Sequence, residues 1–329
     1  MPYGNVYPCS CAWIKNYSFG NIFEQSFDEI WNGEKAQEFR KKLYYNDFSF
    51  CPGCQNLEIL QEINSEEPKL LSEPPERILL GLDDFCDVKC IFCRDQNYVP
   101  ESLIPQDKAS ELFEILKPWF EKAKYVKTNA VGEIFASKAS KDLLKDIADS
   151  FPDIKFEIIT NGILATKHNL EKLNMTDRIS MMTVSLHAMT EKTYNKIVKG
   201  GNFKKVMENI AYYADLKKQG KIERFELHFT VTSLNYKEMK DLIKFAKRID
   251  AKIRFLGLDC AKGLDKVYKE INISDSTHPE YNDFIKEMTS PEIKNAKDTV
   301  IQGLDYFVNL KPVSLIESIQ NKIRGIVNR

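Results

Sequence analysis

The chain has 329 residues, enough for one large domain with attachments, and its 43% hydrophobic and 29% charged residues support a buried core, which excludes a disordered chain. A formal net charge of -1 excludes a general polyanion-binding surface, so no nucleic-acid partner is expected. The start "MPYGNVYPCSC" has neither the basic nor the apolar part of a secretory signal, and no apolar run approaches the roughly 18 residues of a membrane span; a cytoplasmic, reducing location is expected, where the eight cysteines read as metal ligands sooner than as disulfides.

The pattern divides the chain into three parts and a linker. Residues 1–57 carry Cys9, Cys11, Cys51 and Cys54. Within them "SFDEIWNGEKAQEFRKKL" predicts a helix: Ser26 and Glu29 have capping-box spacing, and Phe27, Trp31, Phe39 and Leu43 recur on one face. Residues 58–76 are acidic and proline-bearing, as a surface linker is. Over residues 77–260 strand and helix patterns alternate. "RILLGLD", "KYVKTNAVGE", "IKFEIITNG", "RISMMTVSLHA", "RFELHFTVTS" and "KIRFLGLD" read as strands. Between the first three lie helices "DKASELFEILKPWF", with Ala109, Leu112, Phe113 and Leu116 on one stripe, and "SKDLLKDIADSF". A long helical stretch from Thr190 to about Leu216, interrupted at "KGGNF", joins the fourth strand to the fifth. "NYKEMKDLIKFAKRI", which aligns Met239, Leu242, Ile243, Ala246 and Ile249, follows the fifth. Repeated β-α units with short connections imply an α/β fold with a parallel sheet. Six units are too few for an eightfold barrel, so a partial, open (β/α)6 parallel barrel is expected, with reactive groups at the C-terminal strand ends. Residues 261–329 are expected to form a helical C-terminal extension. Its amphipathic segment "SLIESIQNKIRGIV" presents Ile316, Ile319, Ile323 and Ile326 for docking on the barrel, or alternatively for a membrane surface.

"LDDFCDVKCIFCRDQNY" follows the first strand directly. Cys86, Cys90 and Cys93, spaced C-x3-C-x2-C, suit three corners of a cubane iron–sulfur cluster whose fourth iron stays open. A structural zinc site completed by a distant residue is the alternative. The spacing, placed after a first barrel strand, resembles the signature of radical S-adenosylmethionine (radical SAM) enzymes, and Phe92 matches the aromatic residue of that motif. The resemblance covers roughly Arg77 to Asp259. It implies a [4Fe-4S] cluster whose open iron is chelated by S-adenosylmethionine, reductive cleavage to a 5′-deoxyadenosyl radical, and hydrogen abstraction from a substrate. An external low-potential electron donor, such as a flavodoxin or ferredoxin, is implied with it. By the same resemblance Gly132 and Glu133 of "VGE" stand where the cofactor's amino group is bound. Asn161 of "TNG" lines the pocket, a simple turn being its plain reading. Ser185 lies near the cofactor's carboxylate or ribose. His187 stands where relatives have Asp, as a proton acceptor or a polar wall. "YNKIVKGGNF" lacks the arginine often found there; Val198 takes its place, and Lys199 is a candidate for the carboxylate contact.

At the other end, Gly4, Cys9, Gly20-Asn21, Ile30-Trp31-Asn32, Arg40 and the pair Cys51-x2-Cys54 follow an order similar to SPASM or twitch modules, which bind an auxiliary iron–sulfur cluster. Such modules usually follow the barrel; this one precedes it. They also carry a cysteine upstream of the glycine, for which Cys11 is the substitute here. The implied ligands are Cys9, Cys11, Cys51 and Cys54, or Cys9, Cys51 and Cys54 with one open iron. A four-cysteine zinc site is the alternative, and Cys260 reads as a buried thiol. The expected function is hydrogen abstraction for peptide or protein side-chain modification. Dehydrogenation or rearrangement of a small metabolite such as a sugar is the alternative, and a non-catalytic iron–sulfur or zinc-binding protein is the alternative of another class.

Overall fold

The computed structural model describes residues 4–9, 17–51, 73–81, 84–94, 109–128, 132–259 and 263–308. Cys11, Cys54, Cys260, most of the predicted linker and the predicted helix at residues 314–327 lie outside them. None of the described helices is long and apolar enough to cross a membrane.

The N-terminal module opens with a short antiparallel pair, β1 (Asn5–Val6) and β2 (Gly20–Asn21), followed by α1 (Phe27–Trp31) and α2 (Glu34–Tyr44). The capping box is present: Glu29 N–H donates to the Ser26 hydroxyl, and Ser26 N–H donates to the Glu29 carboxylate at 2.8 Å. The single helix predicted through residues 26–43 is two helices. A Cβ at Gly33 would lie 2.1 Å from the Glu29 carbonyl oxygen, so a bare glycine lets the chain turn there. The turn leaves Ile30 and Phe39 buried. It also brings Arg40 back over Trp31, with the guanidinium 4.3 Å from the ring centroid and donating to the Trp31 carbonyl. The Trp31 indole N–H donates to the Glu73 carbonyl at 2.7 Å. Trp119, in α3 (Ala109–Phe120), meets Phe27 edge-on at 4.6 Å and Trp31 at 5.9 Å. This aromatic contact joins the module to the large domain.

The large domain is built on β3 (Arg77–Leu80), the two-residue β4 (Lys89–Cys90), β5 (Tyr125–Thr128), β6 (Lys155–Thr160), β7 (Ile179–Ser185), the two-residue β8 (Val198–Lys199), β9 (Ile222–Thr230), β10 (Lys252–Leu256) and β11 (Thr299–Gln302). Seven of these form one parallel sheet in strict chain order, β3-β5-β6-β7-β9-β10-β11. Sequential order is that of an open α/β barrel, as expected, with one strand more than the six predicted. The seventh, β11, comes from the extension expected to be helical. Its four residues include only two apolar ones, too few for a strand pattern, yet β10 pairs with it along its length.

The helices are α4 (Lys138–Ser150), α5 (Lys167–Lys172), α6 (Glu191–Ile197), α7 (Phe203–Lys218) and α8 (Met239–Arg248), with α9 (Asp265–Ile271) and α10 (Tyr281–Met288) after β10. The pattern gives no helix where α5 lies; that helix buries Leu170 alone and starts at the Thr166 cap. The stretch read as one interrupted helix is α6, then β8, then α7: the chain leaves helical geometry long enough to pair with β4.

Alternate strand residues face opposite ways, and residues in register share a face. One face is apolar and buried: Val126, Phe156, Met182, Val184, Phe225 and Phe255 pack outward, Phe225 meeting Tyr213 of α7 edge-on at 6.1 Å. The inner face is polar. Lys127, Glu157, Met181 and Arg224 stand in register across β5, β6, β7 and β9. Thr183, Glu226 and Lys252 form the next row, and Ser185, His228 and Arg254 the row above it.

Replacing the buried Trp119 by alanine should remove the joint between module and barrel. Denaturant unfolding is expected to show a loss of about 3 kcal/mol or more, and limited proteolysis faster cleavage within residues 1–57. An unchanged cleavage pattern would count against the aromatic contact as the joint.

Candidate functional site

The loop after β3 is pinned at the middle of its cysteine run. Cys90 pairs with Val198, Lys89 with Lys199, and Ile91 N–H donates to the Ile197 carbonyl at 3.0 Å. Cys93 N–H donates to the Cys90 carbonyl at 3.1 Å, closing a turn. Cys86, Cys90 and Cys93 are thiols; the first two are partly buried and the third is exposed. Burial pushes the Cys86 thiol up to about 11. Cys90 is raised further, by burial first and then by Cys93 and Cys86 beside it. Such thiols ionise when a metal takes the thiolate. Three sulfur donors on one loop, coupled to one another, fit an iron–sulfur cluster. Among the described residues no three histidine, cysteine or carboxylate side chains converge on a single ion; a cluster asks for one thiolate per iron.

Glu133, 1% exposed, lies at the loop after β5. Its Oε2 accepts from the Thr160 hydroxyl at 2.8 Å and from Asn161 N–H at 2.7 Å, and its Oε1 from Phe135 N–H at 3.3 Å. Its own N–H donates to the Phe85 carbonyl at 2.8 Å. Burial pushes the carboxyl up to about 7 despite these bonds, so a cation placed at Oε1 would favour the carboxylate. Gly132, partly buried, adjoins it. Asn161 turns its amide toward the cysteine loop: Nδ2 donates to Asp87 Oδ1 at 2.7 Å and lies 3.9 Å from Cys86 Sγ, while Oδ1 accepts from Ile163 N–H at 2.9 Å.

Ser185 ends β7, partly buried. His187 is buried with φ +60°, a left-handed backbone held by the Asn235 side-chain amide donating to its carbonyl at 2.8 Å. Its Nδ1 accepts from Thr230 N–H at 3.1 Å, and burial pushes the ring down to about 3. The neutral ring therefore carries its proton on Nε2 and presents a donor. Phe92 meets this ring edge-on at 5.1 Å. Lys199 lies in β8, not in a helix, and its ammonium donates to the Asn195 carbonyl at 3.2 Å.

The structure thus gathers Cys86, Cys90, Phe92, Cys93, Glu133, Asn161 and His187, with Gly132, Ser185 and Lys199 at the margin. Cys9, exposed, and Cys51, buried, belong to the N-terminal module. Two participants lack a sequence expectation. Asp87 stands inside the cysteine motif and holds Asn161. Tyr194 is fully buried on α6, its hydroxyl without a hydrogen-bond partner among the described residues, in space that a Cβ on Gly201 would enter to 2.8 Å. The glycine pair in "KGGNF" was the available signal.

The family model of the Radical SAM superfamily matches residues 82–255, more than half of the chain. The chain belongs to the radical SAM superfamily. The model of the SPASM iron–sulfur cluster-binding domain matches residues 1–55. The chain is therefore an enzyme that works with a [4Fe-4S] cluster and S-adenosylmethionine, and its SPASM module indicates an auxiliary iron–sulfur cluster. A "Probable GTP 3',8-cyclase" of Methanocaldococcus jannaschii is 23% identical over 236 residues, 69% of this chain and 73% of that protein. The GTP 3',8-cyclase of Limosilactobacillus fermentum is 24% identical over 186 residues, 54% of this chain and 53% of that protein, so the match spans about half of that relative. Streptococcus suis SuiB shares the fold. Bound to S-adenosylmethionine it aligns with TM-score 0.51 and 18% identity over 75% of this chain and 55% of its own. Bound to the precursor peptide SuiA it aligns with TM-score 0.51 and 17% identity over 89% and 67%.

Asn161→Ala should release the cysteine loop from β6. Losing a hydrogen bond to a carboxylate is expected to cost about 1–3 kcal/mol in denaturant unfolding, and amide exchange of residues 86–94 should quicken. Unchanged exchange would show that the β4–β8 pairing holds the loop alone.

Proposed function

We propose that Cys86, Cys90 and Cys93 hold the [4Fe-4S] cluster and that the chamber beneath them is where a hydrogen is taken from substrate. The observation that carries this reading is the three-thiol loop at the C-terminal edge of a parallel sheet, with buried Glu133 and partly buried Asn161 drawn against it. When bound, cluster and S-adenosylmethionine supply one-electron cleavage of a carbon–sulfur bond and a 5′-deoxyadenosyl radical that abstracts a hydrogen atom.

The chain's own residues bind and orient. The β4–β8 pairing fixes the cradle. Oε1 of Glu133, whose one bond is long, accepts from the cofactor's ammonium, and Gly132 lets the backbone come close. The Ser185 hydroxyl, in register with His228 on the inner face, serves the cofactor's carboxylate or ribose. Asn161 spends its amide on Asp87 and Ile163, so it holds the loop. His187, a donor through Nε2, is a polar wall behind Phe92. Lys199 is the carboxylate contact nearest the cradle, one residue beyond the Cys90 partner. Cys9, Cys11, Cys51 and Cys54 hold the auxiliary cluster, and a flavodoxin or ferredoxin supplies the electron.

The substrate of this reading is a peptide or protein side chain, the class that SuiB holds in its complex with SuiA. A small metabolite is the second reading, favoured by the relatives named GTP 3',8-cyclase.

Anaerobically reconstituted, chemically reduced enzyme should convert S-adenosylmethionine to 5′-deoxyadenosine, and Cys90→Ala should lower that rate at least a hundredfold; wild-type cleavage by the variant sinks the assignment. Glu133→Gln is expected to weaken cofactor binding about tenfold, the effect of about 1.4 kcal/mol, with the iron content of the barrel cluster unchanged. Loss of iron instead would place Glu133 in the cradle and not at the cofactor. Deuterium carried from a labelled candidate peptide or metabolite into 5′-deoxyadenosine decides the substrate class.

A further inference from the structure

The inner face of the sheet carries more positive charge than its own carboxylates neutralise. Within strand positions that share this face, Glu157 is bridged by Arg77, and Glu226 by Arg224 at 3.0 Å. Lys155 reaches Glu223 and Lys252 lies 3.9 Å from Asp298. Two cations remain. Among the described residues Lys127 makes no ion pair or side-chain hydrogen bond, and the Arg254 guanidinium donates only to the Gln302 side-chain oxygen, at 3.3 Å. Both are half-buried.

Their direction follows from register. Lys127 stands opposite Glu157, and Arg254 opposite His228, whereas their neighbours Val126, Ile253 and Phe255 are buried on the outer face. The two belong to strands β5 and β10, with β6, β7 and β9 between them, so they approach the chamber from different sides. Between them lies Thr183, fully buried, its hydroxyl without a partner among the described residues, in register with Glu226. Half-burying a charge without a partner is costly, and an unmatched hydroxyl adds to the cost; both are offset if a ligand brings acceptors. Nor is the positive excess a property of the chain as a whole, whose formal net charge is -1.

We propose that Lys127 and Arg254 form an oxyanion receptor inside the chamber, and that the substrate of this enzyme carries a carboxylate or phosphate group which seats on them. The proposal rests on the reading of the chamber as the substrate site. A carboxylate is the form an acidic peptide side chain would bring, and a phosphate the form a phosphorylated metabolite would bring. Arg254 offers the planar fork that matches either group in two-point contact, and Lys127 a point charge. Glu226 sits one row below Arg254; the His228 ring, 3.4 Å away, first, and then the Arg224 and Arg254 guanidinium groups keep its carboxyl below the usual range. It therefore remains an anion that orients Arg224 and leaves Arg254 for the ligand.

The test is calorimetric titration of the cluster-bearing enzyme, oxidised and saturated with S-adenosylmethionine, with sodium pyrophosphate in one series and sodium acetate in another at constant ionic strength. Saturable binding of at least one anion is expected. Arg254→Gln and Lys127→Gln should each weaken it tenfold or more, while Arg254→Lys should stay within a few-fold of wild type and Lys138→Gln, on the outer helix α4, should leave it unchanged. Preference for pyrophosphate points to a phosphorylated metabolite, and preference for acetate to a carboxylate-bearing substrate. The proposal is overturned if neither anion saturates, if Lys138→Gln weakens binding as much as Arg254→Gln, or if S-adenosylmethionine abolishes anion binding, which would make the receptor the cofactor's own. Since no cofactor cleavage is read, a negative titration leaves the cluster assignment standing. A cleavage-competent Cys90→Ala would leave the receptor standing.

Discussion

A single buried carboxylate ties the rim of the sheet together. Glu133 takes the Thr160 hydroxyl and the Asn161 amide from the end of β6, and through its own N–H it reaches Phe85 in the loop after β3. Placing that group out of water costs several kcal/mol, and only the donors around it make the site tolerable. Their arrangement leaves one oxygen lightly used. Asn161 extends the same tie to Asp87, so three loops from three different strands are held as one body against the cysteines. Remove the tie and each thiol would still exist, but its placement relative to Glu133 and Asn161 would be left to three separate loops.

The sheet divides its labour by face. A barrel interior filled with branched apolar side chains is a core; here that work is done on the outside, where Phe156, Met182, Phe225 and Leu227 are packed and where α7 and α8 supply Val206, Ile210, Tyr213, Met239 and Leu242. The inside is left for Thr183, Ser185, Glu226, His228 and Arg254. The apolar packing lies on the outer face, which frees the inner-face positions to be charged or hydroxylated.

Much of this was legible in the chain. The C-x3-C-x2-C run was legible because its spacing lies on one loop, and the family resemblance pointed to Glu133, Asn161 and Ser185, which the fold sets at or just beyond the ends of strands. What was not legible depends on partners far away in sequence. Asp87 sat within the quoted motif, yet only its distance from Asn161 gives it a task. The break at Gly33 hinges on a close approach to the Glu29 carbonyl that a side chain would block and that no periodicity reports. Strand β11 was hidden because four residues carry too little pattern, and β10 beside it decides their conformation. The inner-face charges were visible as Arg, Glu and His alternating with Phe and Leu in "RFELHF", but their pairing was not, and pairing is what singles out Lys127 and Arg254.

The two-residue pairing of Cys90 with Val198 joins segments roughly a hundred residues apart, and a contact of such separation must meet the entropy of closing a long loop before it rewards the chain. A ribosome that has released the cysteine motif has not yet released the strand that braces it. The cysteine loop is therefore braced only once the segment that follows the fourth strand of the sheet has been made and has folded back onto it.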